Sequence, residues 1–352
     1  MTATALVGAQ HGSEGKGVIA SVLAGRFDVA VRTGGPNAGH SIWHEGKVYK
    51  MRGVPCAWIN PECELLIGAG AVVDLDLLAD ELRDLPGVVV RVDTQAVVVT
   101  HDMQREEQGM WAKIGSTQEG VGIARIRKIE RDAADKPLMR DAVLGTGDPW
   151  DRIVPMERTA QWLYGQLLDG ANVMLEGTQG SALSLHHGDW PYCTSADTNA
   201  AQLLADAGIA PRHLRHTYLV ARTYPIRVAG NSGPMAYETS WERLGFEPET
   251  TTVTNRVRRV GEWDRALYER AVALNGPCGT FLTFADYIAP ELRGSTSWAE
   301  LGANPAISAL VGEVEDISGA PVLGLGTGPD ASGAWQVATA SPRCAHGEYW
   351  RE

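Results

Sequence analysis

The sequence predicts an α/β fold with a central, mostly parallel β-sheet, flanking helices and a P-loop-like phosphate loop. Three observations carry that prediction. Residues 3–7 are a short apolar run that enters a glycine-rich turn, followed by a helical pattern with Val18, Ile19, Val22 and Leu23 on one face. A second run, 28–32, enters another glycine turn at Gly34 and Gly35. Strand–loop–helix alternation then continues along the chain, and crossovers of this kind connect parallel strands.

Taken in order, Gly25 closes the first helix, and further β-branched runs follow at 88–92, 96–99, 173–175, 216–220 and 281–284. Helical patterns lie between them at 75–82, 155–168 and 263–274, while 145–150 and 230–234 read as loops. There is no solenoid-length repeat, low-complexity tract or clear boundary, so residues 1–352 are expected to form one domain. With 44% hydrophobic and 21% charged residues the composition is globular and excludes a disordered or fibrous chain.

The formal charge of -12 repels phosphate backbones and anionic membranes, which argues against nucleic-acid or membrane partners. No apolar run approaches the roughly 20 residues needed to span a bilayer. The opening MTATALVGAQ lacks the basic start of a secretory signal, and a cytoplasmic location is expected. Five cysteines without a Cys-x-x-Cys pair read as idle thiols, not a disulfide framework or zinc site. The 11 tryptophans are scattered and not interleaved with Lys or Arg, so they read as core and interface residues.

The strongest chemical signal is 8–17, GAQHGSEGKG. Its glycines let backbone N–H groups approach a phosphate, and Lys16 adds charge at a helix N-terminus that itself favours anions. It is not a Walker loop, because Gln10 stands where the first glycine belongs and Gly17 follows the lysine. The dinucleotide fingerprint fails on glycine spacing. A second segment, 33–41 (TGGPNAGHS), sets Asn37, Gly39 and His40 directly after a strand, at the edge where open α/β sheets bind ligands. Further on, Thr252, Thr254, Arg256 and Arg258 offer hydroxyls and guanidinium forks suited to carboxylates.

The first two segments resemble the N-terminal signatures of the adenylosuccinate synthetase family, Gly-Asp-Glu-Gly-Lys-Gly and Asn-Ala-Gly-His-Thr. The resemblance continues at 114–122, 176–198, 252–264 and 326–330 and so covers nearly the whole chain. It implies a shortened version of that family's fold and a Mg2+-dependent ligase. In that reaction a nucleoside triphosphate phosphorylates the purine 6-oxygen, and the amine of L-aspartate then displaces phosphate at carbon 6. By resemblance, Ser13 and His40 are the catalytic positions, His40 acting as general acid toward the 6-oxygen. The donor nucleotide falls to Ser13, Glu14, Gly15, Lys16, Gly17, Gly39, His40, Ser41, Arg258, Asp286, Gly326, Thr327 and Gly328. The purine monophosphate falls to Ser13, Asn37, Ala38, Thr117, Gln179, Thr194 and Arg256, with Arg131 supplied by a neighbouring subunit, which implies a homodimer. Aspartate falls to Thr252, Val253, Thr254, Arg256 and Arg258, and Mg2+ to Ser13 and the Gly39 carbonyl.

Three departures from the family stand out. Ser13 occupies the position of the family's aspartate, and a neutral hydroxyl cannot do a carboxylate's proton transfer unaided. That leaves a nucleotide-binding pseudoenzyme, an ordinary synthetase acting on IMP with its base relocated, or an enzyme built for another purine. Serine here resembles the phage-encoded 2-aminoadenylosuccinate synthetase branch, which joins aspartate to dGMP on the way to 2-aminoadenine DNA. A small hydroxyl leaves room for guanine's 2-amino group. The same resemblance implies a bacterial host cytoplasm. The second departure is at 283–286 (TFAD), where Phe284 replaces the family's lysine beside the retained Asp286, so ATP or dATP is expected as donor. Third, the stretch between Asp286 and Gly326 is short for the family. Other candidates read as structural: adjacent His186 and His187 diverge too far to share a metal, and Asp74, Asp76, Glu106 and Glu107 fit helix ends or solvated faces.

Overall fold

The computed structural model describes residues 2–110, 114–132, 134–135, 137–250 and 256–335. Its centre is a ten-stranded sheet. The strands are β1 (Thr2–Gly8), β2 (Val29–Arg32), β3 (Glu64–Ile67), β4 (Val90–Asp93), β5 (Ile153–Met156), β6 (Asn172–Glu176), β7 (Leu214–Arg222), β8 (Gly279–Thr283), β9 (Val322–Gly326) and β10 (Gly333–Trp335). Their order is β10-β9-β8-β7-β1-β6-β2-β3-β4-β5. All neighbours pair parallel except β9 and β10.

The central strands are short unbroken apolar runs because both faces of the sheet are covered. Alternate residues supply two cores: Leu6, Ala30, Met174, Val220 and Phe281 face one side, and Ala5, Val31, Leu175, Leu219 and Leu282 the other. The chain leaves β1 and returns at β2 two places away, with β6 inserted between them. The carboxyl ends of β1, β6 and β2 therefore lie side by side, and the loops that follow them converge on one crevice.

Several expectations need correction. Residues 155 and 156 are not the start of a helix: they close β5, and the helix is Thr159–Leu168. Among the described strands β5 is the sheet edge, where Pro155 leaves no ladder bond unmade. The run at 96–99 contributes only Val97–Val98, paired with Val72–Val73 outside the main sheet. Past the second glycine turn, His40–His44 and Lys47–Met51 form an antiparallel hairpin, closed by Glu45 and Gly46 at φ 50 and 78. His40 thus begins a strand and is buried, not loop-borne. The short stretch after Asp286 still carries two helices, Trp298–Ala303 and Pro305–Ser318. Cys56, Cys63 and Cys193 are free thiols, whereas Cys278 is disulfide-bonded, unlike the idle thiol expected. Among the described residues no helix is long and apolar enough to cross a membrane.

Candidate functional site

The loop after β1 takes left-handed backbone at Gly12, Ser13 and Gly15, with φ 88, 60 and 87. Glu14 holds that shape from within. Its buried carboxylate accepts from the backbone N–H groups of Gln10 (3.0 Å) and Gly12 (2.8 Å) and from Lys16 Nζ (2.6 Å). Gln10 fastens the loop to β7, its amide exchanging two bonds with the Arg222 backbone at 2.9 and 3.0 Å. Thr283 Oγ1 on β8 donates to the Glu14 carbonyl at 2.7 Å. Gly8 is required by close approach: a Cβ there would lie 2.5 Å from the Gln179 carbonyl and 2.7 Å from Lys16 Nζ. Ser13 is exposed at the tip, and its hydroxyl has no partner among the described residues.

Behind the loop lies a buried triad. Arg32 Nη1 donates to Glu176 Oε1 at 2.7 Å, His40 Nδ1 meets the same oxygen at 2.6 Å, and the Cys56 N–H donates to Oε2 at 2.6 Å. Burial opposes the Glu176 charge, but His40, Arg32 and the Cys56 N–H outweigh it and hold the carboxyl at about 2. Burial and the Arg32 charge together lower His40 to about 4. At neutral pH Glu176 is therefore ionised and His40 neutral, its Nδ1 spent on Glu176, which leaves Nε2 for a ligand. His40, Cys56 and Glu176 bring ligand atoms within 4.8 Å of one another. Arg32 already holds the carboxylate, however, and burial pushes the Cys56 thiol well above its ordinary value, so the cluster is an internal ion pair and not a cation cage.

These elements open onto a cavity of about 480 Å³, within the range of small-molecule sites. Of the residues expected from sequence, Ser13, Lys16, Asn37, Ala38, Gly39 and His40 line it, joined by Thr117, Gln179, Thr194 and Arg258. Asn37 Nδ2 lies 3.5 Å from Thr194 Oγ1, tying the second motif to the segment after β6.

Other expected residues lie elsewhere. Glu14 and Gly15 form the loop's interior, and Gly15 packs on Thr283. Gly17 does not line the cavity, because the helix Lys16–Leu23 must pass close to the hairpin: a Cβ there would lie 2.8 Å from that of His40. Ser41 is exposed on the hairpin, and Arg256 is exposed away from the cavity wall. Arg131 is exposed at the end of the helix Val121–Glu130 and does not line this chain's own cavity. Thr252, Val253 and Thr254 lie outside the described residues. Asp286 follows the end of β8, and Gly326, Thr327 and Gly328 lie at and just past the end of β9. Burial raises the Asp286 carboxyl, whose Oδ1 has no partner among the described residues. Beside it Phe284 turns to φ 62 and takes the Arg222 guanidinium over its ring at 3.8 Å.

Sequence reasoning passed over several cavity residues, among them His11, Tyr192, Arg227 and Val228. His11 Nδ1 is sealed from solvent without a partner among the described residues. Burial, then the charge of Arg227, lower His11 to about 3 against the pull of Asp189, so the ring is neutral. His11 lies inside the quoted glycine loop, and a ring among glycines was the available signal.

Fold and cavity together define a nucleotide-dependent α/β enzyme with a phosphate loop at the switch point of a parallel sheet. The family model for adenylosuccinate synthetase matches residues 5–143 and 150–293. The chain is 34% identical over 342 residues to the adenylosuccinate synthetase of Methanococcus aeolicus, covering 94% of this chain and 98% of that one. It is 35% identical to the Methanocaldococcus jannaschii enzyme, covering 94% and 95%. Among solved structures it resembles the cyanophage S-2L succinoaminodeoxyadenylate synthetase bound to dGMP and to dATP as an energy donor, at TM-score 0.81, 32% identity and 97% coverage of both chains. The chain therefore belongs to the adenylosuccinate synthetase family and is a carbon–nitrogen ligase. The fully ligated adenylosuccinate synthetase of Plasmodium falciparum shares the fold at TM-score 0.79 and 20% identity, covering 94% of this chain and 98% of that one.

Proposed function

We propose that this ligase joins L-aspartate to carbon 6 of dGMP, giving N6-succino-2-amino-2′-deoxyadenylate for 2-aminoadenine DNA. The observation that carries the proposal is Ser13: an unspent hydroxyl at the loop tip, facing the cavity where an aspartate would crowd a 2-amino group. The likeness to a phage synthetase bound to dGMP supports it. The identity to archaeal adenylosuccinate synthetases favours a second reading, IMP as substrate.

A carbonyl oxygen is a poor leaving group, so the 6-oxygen first takes the terminal phosphoryl group of the donor. The aspartate amine then forms the carbon–nitrogen bond, and phosphate departs with the oxygen. His40 presents Nε2 to the 6-oxygen, its ring oriented by Glu176 through Nδ1; to act as general acid it must first take a proton at Nε2, and the Glu176 carboxylate supports that imidazolium. Lys16 and the loop N–H groups hold the donor phosphates, three anionic reactants being kept together by fixed positive groups. Asn37, Thr117, Gln179 and Thr194 hold the purine monophosphate with Arg131 of a second subunit, and Arg258 with 252–254 holds aspartate, joined by Arg256 from outside the cavity wall. Ser13 and Gly39 fit Mg2+: both stand at the cavity and offer neutral oxygens, the hard donors that Mg2+ takes alongside phosphate and water. When bound, Mg2+ offsets the charge of the transferring phosphoryl group. Phe284 beside Asp286 favours ATP or dATP as donor, and the setting is a bacterial host cytoplasm.

The test is phosphate release by purified protein with Mg-ATP and L-aspartate, offering dGMP and IMP in parallel and identifying products by mass. Release with dGMP, and far less with IMP, is the expected result. Release with IMP alone would establish the second reading, and silence with both would indicate a nucleotide-binding pseudoenzyme.

A further inference from the structure

We propose that His11 is a specificity-determining residue that reads the amino-bearing C2 edge of the substrate purine, its cavity-side ring nitrogen accepting a hydrogen bond from the 2-amino group. The inference rests on the dGMP reading above.

An imidazole carries one donor and one acceptor when neutral, and buried polar groups in folded proteins are nearly always paired. His11 lines the ligand cavity with neither nitrogen paired among the described residues, and because Nδ1 is closed to solvent, Nε2 is the nitrogen that a cavity ligand can reach. Its neighbours are committed to one another. Arg227 Nη1 is held by Asp189 at 3.2 Å and Nη2 by the Tyr192 carbonyl at 3.1 Å, while Arg270 bonds the other Asp189 oxygen at 2.8 Å. Among the described residues the packing around the ring is therefore set without using Nε2, which is left for a ligand.

The position of that partner follows from the order of atoms around a purine. The six-membered ring runs from the 6-oxygen through N1 to the amino-bearing C2. His40 stands at the cavity for the 6-oxygen, Ser13 for the N1 side, and two residues back along the same loop comes His11. Arg227 and Val228 line the same cavity. The proposal seats the purine with its C2 edge toward His11, which lines the same cavity as His40 and Ser13. Ser13 makes room for the amino group, and His11 supplies the acceptor that guanine has a use for and hypoxanthine does not.

The experiment compares dGMP with dIMP, which differ only by the 2-amino group, as substrates for wild type, His11→Phe and His11→Gln. Phenylalanine keeps a ring but offers no acceptor, and glutamine restores one. The ratio of kcat/KM for dGMP over dIMP should fall about tenfold in the phenylalanine variant, as for loss of one neutral hydrogen bond, and recover in part with glutamine. Calorimetric binding of both nucleotides should show the same change in ratio, and thermal melting separates folding from recognition. Equal loss for both substrates, or an unchanged ratio, would overturn the role of His11 while leaving dGMP as substrate. Wild-type preference for IMP and dIMP over dGMP would instead overturn the functional reading itself.

Discussion

Replacing Glu176 with glutamine should cost about 3–5 kcal/mol of folding stability at pH 7, as for removal of one partner from a buried ion pair. The carboxylate is wholly enclosed, and each of its oxygens receives a donor: Arg32 and His40 on Oε1, the Cys56 N–H on Oε2. Glutamine nearly matches the shape but must place an NH2 on one side. With its oxygen toward Arg32 and His40, the NH2 meets the Cys56 N–H; turned over, it meets Arg32. Either orientation sets donor against donor and leaves a buried guanidinium without its counter-charge. An independent route gives a similar size, since a carboxyl held at about 2 against an ordinary 4.5 contributes about 3 kcal/mol. The native pKa is depressed, so this contribution is full above 4.5 and is lost as pH falls toward 2. Urea unfolding of wild type and variant at pH 7, followed down through pH 4.5, measures both effects. The stability gap should narrow on the acid side. A difference below about 1 kcal/mol at pH 7 would refute the reasoning, because that is the scale of an exposed, solvent-screened pair.

Further expectations concern the same site. His40 is buried and held near 4 against an ordinary 6.5, so the native state resists a proton that the unfolded chain accepts; stability present above 6.5 falls by about 3 kcal/mol toward pH 4. His40→Asn should flatten that limb of the urea-midpoint profile, and an unchanged slope would show that His40 does not carry it. Ser13→Asp should leave the melting temperature within a few degrees, because aspartate tolerates left-handed backbone at least as well as serine, and it should shift the kcat/KM ratio from dGMP toward IMP. Unchanged selectivity would remove Ser13 from the specificity argument. Gly17→Ala should destabilise by about 1–3 kcal/mol through overpacking against His40, and turnover measured at saturating substrate should fall with it; full activity would mean that the hairpin yields without moving His40.

The chemistry-bearing part of this protein was more legible in the sequence than its architecture. The glycine loop and the post-strand segment of Asn37 and His40 are local patterns, and the cavity assembles Ser13, Lys16, Asn37 and His40 from them. What local pattern could not show is who pairs with whom. Glu176 reads as the end of a strand, and only the insertion of β6 between β1 and β2 brings it to His40, 136 residues away in sequence. Residues 155 and 156 read as the start of the next helix because Pro155 suits both an edge strand and the first turn of a helix. The helix Pro305–Ser318 carried a readable start, Asn304 capping Ala306 and Ile307 with proline in first position, and was passed over. His11 was quoted within its loop without being singled out, since its significance lies in the partners it lacks.

The way the glycine loop is fastened has a consequence for how such an enzyme can change over time. Glu14 and Gln10, with Thr283 from β8, fix the loop's path, and none of those bonds passes through the side chain of residue 13. That side chain is mounted on a rigid base but does not help to hold it up. A small polar residue can be exchanged there by point substitution with little effect on folding, so the choice of purine and the integrity of the fold fall under separate selection.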